Sequence, residues 1–409
     1  MEQSLNIKRK QNVVDAPRLG SNQSGLRDHN ERLVLSLIRE AGALPKAVIA
    51  RQSGLSAQTV SVIMRSLESD GLLKRGAPMR GKIGQPSIPM SLAPDGAFFF
   101  GLKVGRRSLD LLLTNFVGDA VDRVRLDHPY PTPDGTVRFA TEGIARILDK
   151  LPGKHRARVA GLGIAIPFQL WDWAATFGVS AEEIKGWEDR DIVIEIGERC
   201  DFPVFVCNDA STACGAELVF GDRNKPRDFL YVFAGFFIGG GLVLDNALFT
   251  GNTGNAAALG SMMVQDRVGT LRQLVDVASL AVLESAVAAA GDRARMNWDD
   301  PESWAIPEPL LEAWLDDAAS GIAQACLTST CLLDVNHVLI DGWLPRSMRA
   351  ALVRRIREYI AEIARPGIRP PEVVEGSVGP DARALGAASL PLSARFLIDR
   401  TVFQKGHSK

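Results

Sequence analysis

Ala50, Gly54 and Val60 stand four and then six residues apart, and that spacing belongs to two short helices joined by a tight turn. The alanine lets the helices approach, the glycine supplies a left-handed turn, and the valine anchors the second helix on the first. Around this core the pattern predicts a leading helix over residues 26–41, with Leu33, Leu35, Leu37 and Ile38 on its apolar face. Ala43-Leu44-Pro45 opens the next helix, which ends at Gly54, and a Ser56 N-cap starts a third that runs to about residue 70. Its inner face is Val60, Ile63, Met64 and Leu67; its outer face is Gln58, Thr59, Ser61, Val62 and Arg65.

Two strand-like stretches, 72–76 and 88–92, flank a glycine-rich basic loop holding Arg80 and Lys82, the pattern of a wing. Such a head puts its third helix in the major groove of duplex DNA. Gln58 and Ser61 would then sit at base edges, Thr59 on the same DNA-binding face, and Arg65 near phosphate or guanine. Arg80 and Lys82 would reach the backbone or minor groove. Charge agrees with this reading. Residues 1–90 hold 14 Lys/Arg against 7 Asp/Glu, while the whole chain carries a formal charge of −1. A basic head therefore rides on an acidic body.

At 409 residues the chain is too long for one ordinary core. We expect an arm at 1–25, a winged helix-turn-helix at 26–94, a first α/β lobe at 95–210 completed by 385–409, and a second lobe at 211–384. Strands are predicted over 98–104, 109–114, 121–126, 159–167 and 204–206, with a helix near 136–150. Strand text recurs at 229–233 and 239–244, so the body reads as two related halves with a ligand cleft between them. Five cysteines without a CxxC pair and five scattered histidines suggest small buried thiols in a reducing cytoplasm, with no metal site. No long apolar run or signal-like segment points to a membrane.

The ordered segments Phe100-Gly101-Leu102-Lys103-Val104-Gly105, Gly163-Ile164-Ala165-Ile166-Pro167, Cys207-Asn208-Asp209-Ala210, Ile238-Gly239-Gly240-Gly241, Gly254-Asn255-Ala256 and Ala384-Leu385-Gly386-Ala387-Ala388 resemble the ROK family of repressors, open reading frames and sugar kinases. Here the family appears in its form with an N-terminal winged helix. The resemblance implies a two-lobed, actin-like sugar-kinase fold with a sugar in the interlobe cleft. It also implies that Asn208 and Asp209 are ligand-binding residues, Asp209 being the general base in kinase members.

The chain departs from that pattern at its phosphate loops. The first reads Lys103-Val104-Gly105-Arg106-Arg107, with a lysine where the family has an acid, and the second reads Ala234-Gly235-Phe236-Phe237. Ala257-Ala258-Leu259-Gly260-Ser261 replaces the sugar-binding glutamate and histidine segment, and residues 265–278 contain no cysteine for zinc. Catalytic residues, cofactor and metal are therefore all read as none. The sequence reads as a DNA-binding transcriptional regulator, a repressor of carbohydrate genes acting as a homodimer or homotetramer on a pseudo-palindromic operator. A sugar-like effector would occupy the cleft. The alternatives are a carbohydrate kinase of this family and a regulator controlled by a protein partner.

Overall fold

Proline at position 45 sits in extended backbone, φ −70° and ψ 150°, and this decides how the head begins. The computed structural model describes residues 23–78, 87–167, 170, 180, 185–291, 296–364 and 366–398. In it, α1 (Gln23–Ala41) leads to a short strand β1 (Leu44–Pro45) and then to α2 (Lys46–Ser53) and α3 (Ala57–Ser69). Leu44 and Pro45 thus pair as a strand instead of opening a helix, because the extended proline turns Leu44 inward. Strands β2 (Leu73–Arg75) and β3 (Pro89–Leu92) complete a sheet of order β1-β3-β2. Arg80, Lys82 and Gly84-Gln85-Pro86 lie outside the described residues.

Gly54 has φ +71°, and nothing lies within 4 Å of where its Cβ would be. Backbone conformation, and not crowding, therefore demands glycine there. Ser56 accepts from the Thr59 amide and caps α3, while Ile49, Val60, Ile63, Met64 and Leu67 are buried. On α1 the core face is Val34, Leu35 and Ile38, with Leu33 only half-buried.

The body begins with β4 (Phe98–Val104), β5 (Ser108–Asn115) and β6 (Ala120–Asp127), an antiparallel meander. After α4 (Pro133–Lys150), β7 (Val159–Ile166) and β8 (Val204–Asn208) add in parallel, giving the order β6-β5-β4-β7-β8. Helix α5 (Asp209–Phe220) then crosses to a second sheet built from β9 (Phe229–Ala234), β10 (Gly239–Leu244) and β11 (Ala247–Phe249). A hairpin, β12 (Met263–Gln265) and β13 (Leu271–Gln273), and helices α6 (Leu280–Ala289) and α7 (Glu308–Leu333) come next. Strand β14 (His337–Gly342), α8 (Arg346–Ile363), β15 (Glu372–Glu375) and a final helix α9 (Ala382–Phe396) follow. The second sheet runs β11-β10-β9-β14-β15, the same order as the first, so the two halves share one topology.

Glycine contacts place α9. Gly101 and Gly163 are register partners on β4 and β7, and their Cβ positions would fall 2.2 Å from the Ala384 carbonyl and 1.8 Å from that of Ala387. Side chains at either site would push the helix off the sheet. Gly386 gives α5 the same intimacy, its Cβ position lying 1.7 Å from the Thr212 carbonyl. The last described helix therefore packs on the first lobe and braces the helix that leads to the second.

The head shares its core with the body. Val34, Ile38, Val60 and Leu67 pack in one cluster with Phe99, Phe116, Ala388, Leu392 and Phe396. Among the described residues no helix is long and apolar enough to cross a membrane. Cys214 and Cys326 are buried as expected for small core thiols, whereas Cys331 is exposed at the end of α7.

Candidate functional site

Helix α3 carries most of the side chains expected to meet DNA. Gln58, Val62 and Arg65 are exposed on it and Thr59 and Ser61 are half-buried. Thr59 and Ser56 share a hydroxyl–hydroxyl bond of 2.8 Å, so the Thr59 hydroxyl is engaged in the cap. Arg65 Nε rests on the Ser61 carbonyl at 3.2 Å, leaving its terminal nitrogens toward solvent. Glu68 is neutralised by Arg75 of β2, with contacts of 2.5 and 2.9 Å, which removes an acid from the same helix.

The head is tied to both lobes through α1. Arg39 donates to the Phe116 carbonyl at 2.6 Å and lies over the Phe116 and Phe220 rings; burial pushes its guanidinium down to about 10. Ser36 Oγ accepts from the Ile398 amide at 3.1 Å. On the second-lobe side, Asn246 donates to Glu40 at 2.9 Å, and Arg223 reaches the Ala41 carbonyl at 3.5 Å. A change in lobe geometry would therefore pull directly on the first helix of the head.

Between the lobes, the two loops that would face nucleotide phosphates in a kinase face each other. Arg106 lies 4.5 Å and Arg107 5.5 Å from the centre of the Phe236 ring, and Arg107 also covers Trp298 at 5.2 Å. Arg107 Nη2 reaches both oxygens of Glu284 at 2.5 and 2.7 Å, and Trp298 Nε1 donates to the same carboxylate at 2.9 Å. The carbonyls of Gly235 and Phe236 accept from the first amides of α6, at 3.1 and 3.0 Å. This loop thus gives two carbonyls to a helix start while the Phe236 ring meets the arginines of the opposite lobe. Arg125–Asp299, at 2.6 Å, ties the same edge further along.

Asn208 and Asp209 stand where β8 ends. Asn208 Oδ1 accepts from the amides of Ala210 and Ser211 at 3.0 and 3.2 Å, capping α5. Asp209 Oδ2 accepts from Arg383 of α9 at 3.3 Å, and Arg383 lies over Phe233. The pair therefore does structural work at the mouth of α5, and Asp209 has a cation beside it. Among the described residues no group of three His, Cys, Asp or Glu could hold a metal ion. A separate groove of about 550 Å³ lies on the second lobe, lined by Glu217, Lys225, His337 and Glu375, outside the cleft.

Comparison with known proteins matches residues 99–284 to the ROK family and residues 27–74 to a winged helix-turn-helix DNA-binding domain. This chain carries a ROK family domain behind a DNA-binding winged helix-turn-helix. A xylose repressor of Caldicellulosiruptor bescii is 23% identical over 302 residues, covering 71% of this chain and 75% of that protein. The structure of a ROK family transcriptional regulator, described as a homolog of the E. coli MLC protein, superposes with a TM-score of 0.67 at 20% identity, covering 91% of this chain and 98% of the other. A ROK family glucokinase from Streptomyces griseus, solved with glucose and AMPPNP, shares the fold over part of the chain. Its TM-score is 0.52 at 18% identity, over 72% of this chain and 99% of that one.

Against this ROK framework, the altered loops acquire a definite place. Both converge on the seam between lobes, where arginines and aromatic rings meet. Sequence reading singled out Lys103, Arg106, Arg107, Phe236 and Phe237 as departures but missed their partners Glu284, Trp298, Trp343 and Arg383. Those lie 47 to 280 positions away from them, and no local spacing signals such a meeting.

Proposed function

We propose that this transcriptional regulator represses genes of carbohydrate uptake or metabolism, binding a pseudo-palindromic operator as a homodimer or homotetramer. A small sugar-like effector would enter the interlobe cleft beside Asn208 and Asp209. The observation that carries this reading is the shared core of head and first lobe together with the Asn246–Glu40 bond from the second lobe. Those contacts give a ligand between the lobes a mechanical route to α3. A ligand that prefers one lobe angle then shifts the population of heads able to span two half-sites. Regulation and not catalysis is the chain's activity: Lys103 and the paired phenylalanines stand where a kinase needs an acid and open amides. Names of relatives such as the xylose repressor support carbohydrate genes as the target.

DNA binding at one salt concentration tests the assignment. A variant with Arg65, Arg80 and Lys82 all changed to alanine should lose tenfold or more in operator affinity, with a shallower salt dependence. Unchanged affinity and slope would remove these residues from the interface.

A further inference from the structure

Lys103 lies on β4 at the seam between lobes, 7% exposed. Its ammonium donates to Ser108 Oγ at 3.2 Å and lies 5.5 Å from the centre of the Trp343 ring, which comes from the second lobe. No carboxylate makes an ion pair with it among the described residues. The nearest candidate, Asp110 on β5, is held by Arg123 of β6. Other charges facing Lys103 are mostly of its own sign: Arg383 from α9, and Arg123 and Arg125 from β6. His128 follows β6 on the same side, and both ring nitrogens are buried with no hydrogen-bond partner among the described residues. Burial first, then the Lys103 charge, push that imidazole down to about 4.

A buried ammonium without a counter-charge and a buried imidazole without a partner are both costly unless something else satisfies them. We infer that the cleft binds an anionic polyhydroxy compound, its carboxylate or phosphate seated against Lys103, His128 and Arg383 and its hydroxyls toward Asp209. This deepens the proposed cleft effector and rests on it. The anion would supply the counter-charge that Lys103 lacks and an acceptor for a neutral His128 N–H. Arg383, already beside Asp209 at 3.3 Å, can hold the anion and the sugar-binding carboxylate together. Because Trp343 covers Lys103 from the opposite lobe, a ligand there displaces a contact across the seam.

The test uses the full chain, thermal unfolding and calorimetry at constant ionic strength, with D-galacturonate, D-glucose 6-phosphate and the neutral sugars D-galactose and D-glucose. At least one anionic compound should raise the Tm and weaken operator binding where its neutral parent does neither. The galacturonate and phosphate arms tell carboxylate from phosphate. Lys103→Gln should cost more than tenfold in affinity for that compound, as expected for loss of a charge-assisted contact. Lys103→Arg should recover part of it. Galacturonate affinity should also fall as pH rises above about 7, where the buried ammonium loses its proton. Neutral sugars that bind as well as the acids, or a Lys103→Gln variant that binds unchanged, would overturn the anion site while leaving the cleft effector standing. Silence from all four compounds, in Tm and in operator release, would count against the cleft effector and the anion site together.

Discussion

Removing Glu284 should loosen the seam between the lobes by a predictable amount. In the parent, its carboxylate accepts two contacts from Arg107, at 2.5 and 2.7 Å, and one from Trp298 at 2.9 Å. The ion pair is partly solvated, with side chains 38% and 26% exposed, so screening reduces it to about 1 kcal/mol. The indole bond joins two residues of the second lobe and survives opening, so it adds nothing to the closed form. Glu284→Ala should therefore weaken the closed arrangement by about 1 kcal/mol, a shift of about fivefold in the ratio of closed to open forms. Arg107 would also be left beside Arg106, whose charge it already opposes. Native-state hydrogen exchange reads this locally. Amides around the β4–β5 turn and at the start of α6 should exchange about fivefold faster, while those of the α3 core, Val60 to Leu67, stay as they are. A double-mutant cycle with Arg107→Ala should return a coupling of about 1 kcal/mol. Unaltered exchange at the turn, or a coupling near zero, would show that these contacts do not hold the lobes.

Gly386→Ala places a methyl 1.7 Å from the Thr212 carbonyl, and should destabilise the chain by about 3 kcal/mol or more, seen in urea unfolding. Ser56→Ala removes the α3 cap and should cost about 1 kcal/mol of head stability, with a matching loss of operator affinity at fixed salt. Stability should rise with pH between about 7 and 10. Burial, reinforced by Arg383, holds Lys103 down to about 7, so across that window the unfolded chain keeps a proton that the folded chain has released. Subtracting the urea midpoints of Lys103→Met from those of the parent isolates this rise; a difference flat with pH would refute it. On the acid side, His128, held near 4 by burial, should make stability fall from pH 6.5 to 4, and His128→Phe should flatten that loss.

The head was legible because its requirements are local. A left-handed turn needs Gly54, a helix start needs Ser56, and a 3.6-residue repeat puts Val60, Ile63, Met64 and Leu67 on one face. Strand positions in the first lobe were equally plain, since β4 and β5 are buried on both faces and carry the apolar stretches 98–102 and 111–113. Leu44 and Pro45 were misread because their strand exists only through pairing with Met90 and Pro89, forty-odd residues on. Asn208 shows the same limit inside the site: its cap on α5 and a bond to a sugar hydroxyl need the same residue type at the same strand end.

By itself, then, the sequence determined the reading head, the repeated strand pattern of the body, and the replacement of acid and glycine by lysine, arginine and phenylalanine in the two loops. Those follow from periodicity, turn geometry and composition within a few residues. Tertiary structure alone decided that the loops meet across the lobes, that Glu284 and Trp298 hold them together, and that Lys103 is buried with no ion-paired carboxylate among the described residues. It alone also fused the head's core with Phe99, Phe116 and Phe396. Each of these joins residues far apart in the chain. Packing, burial and Coulomb interactions act through space, and a linear pattern carries no record of which distant side chain will fill a given neighbour's surroundings.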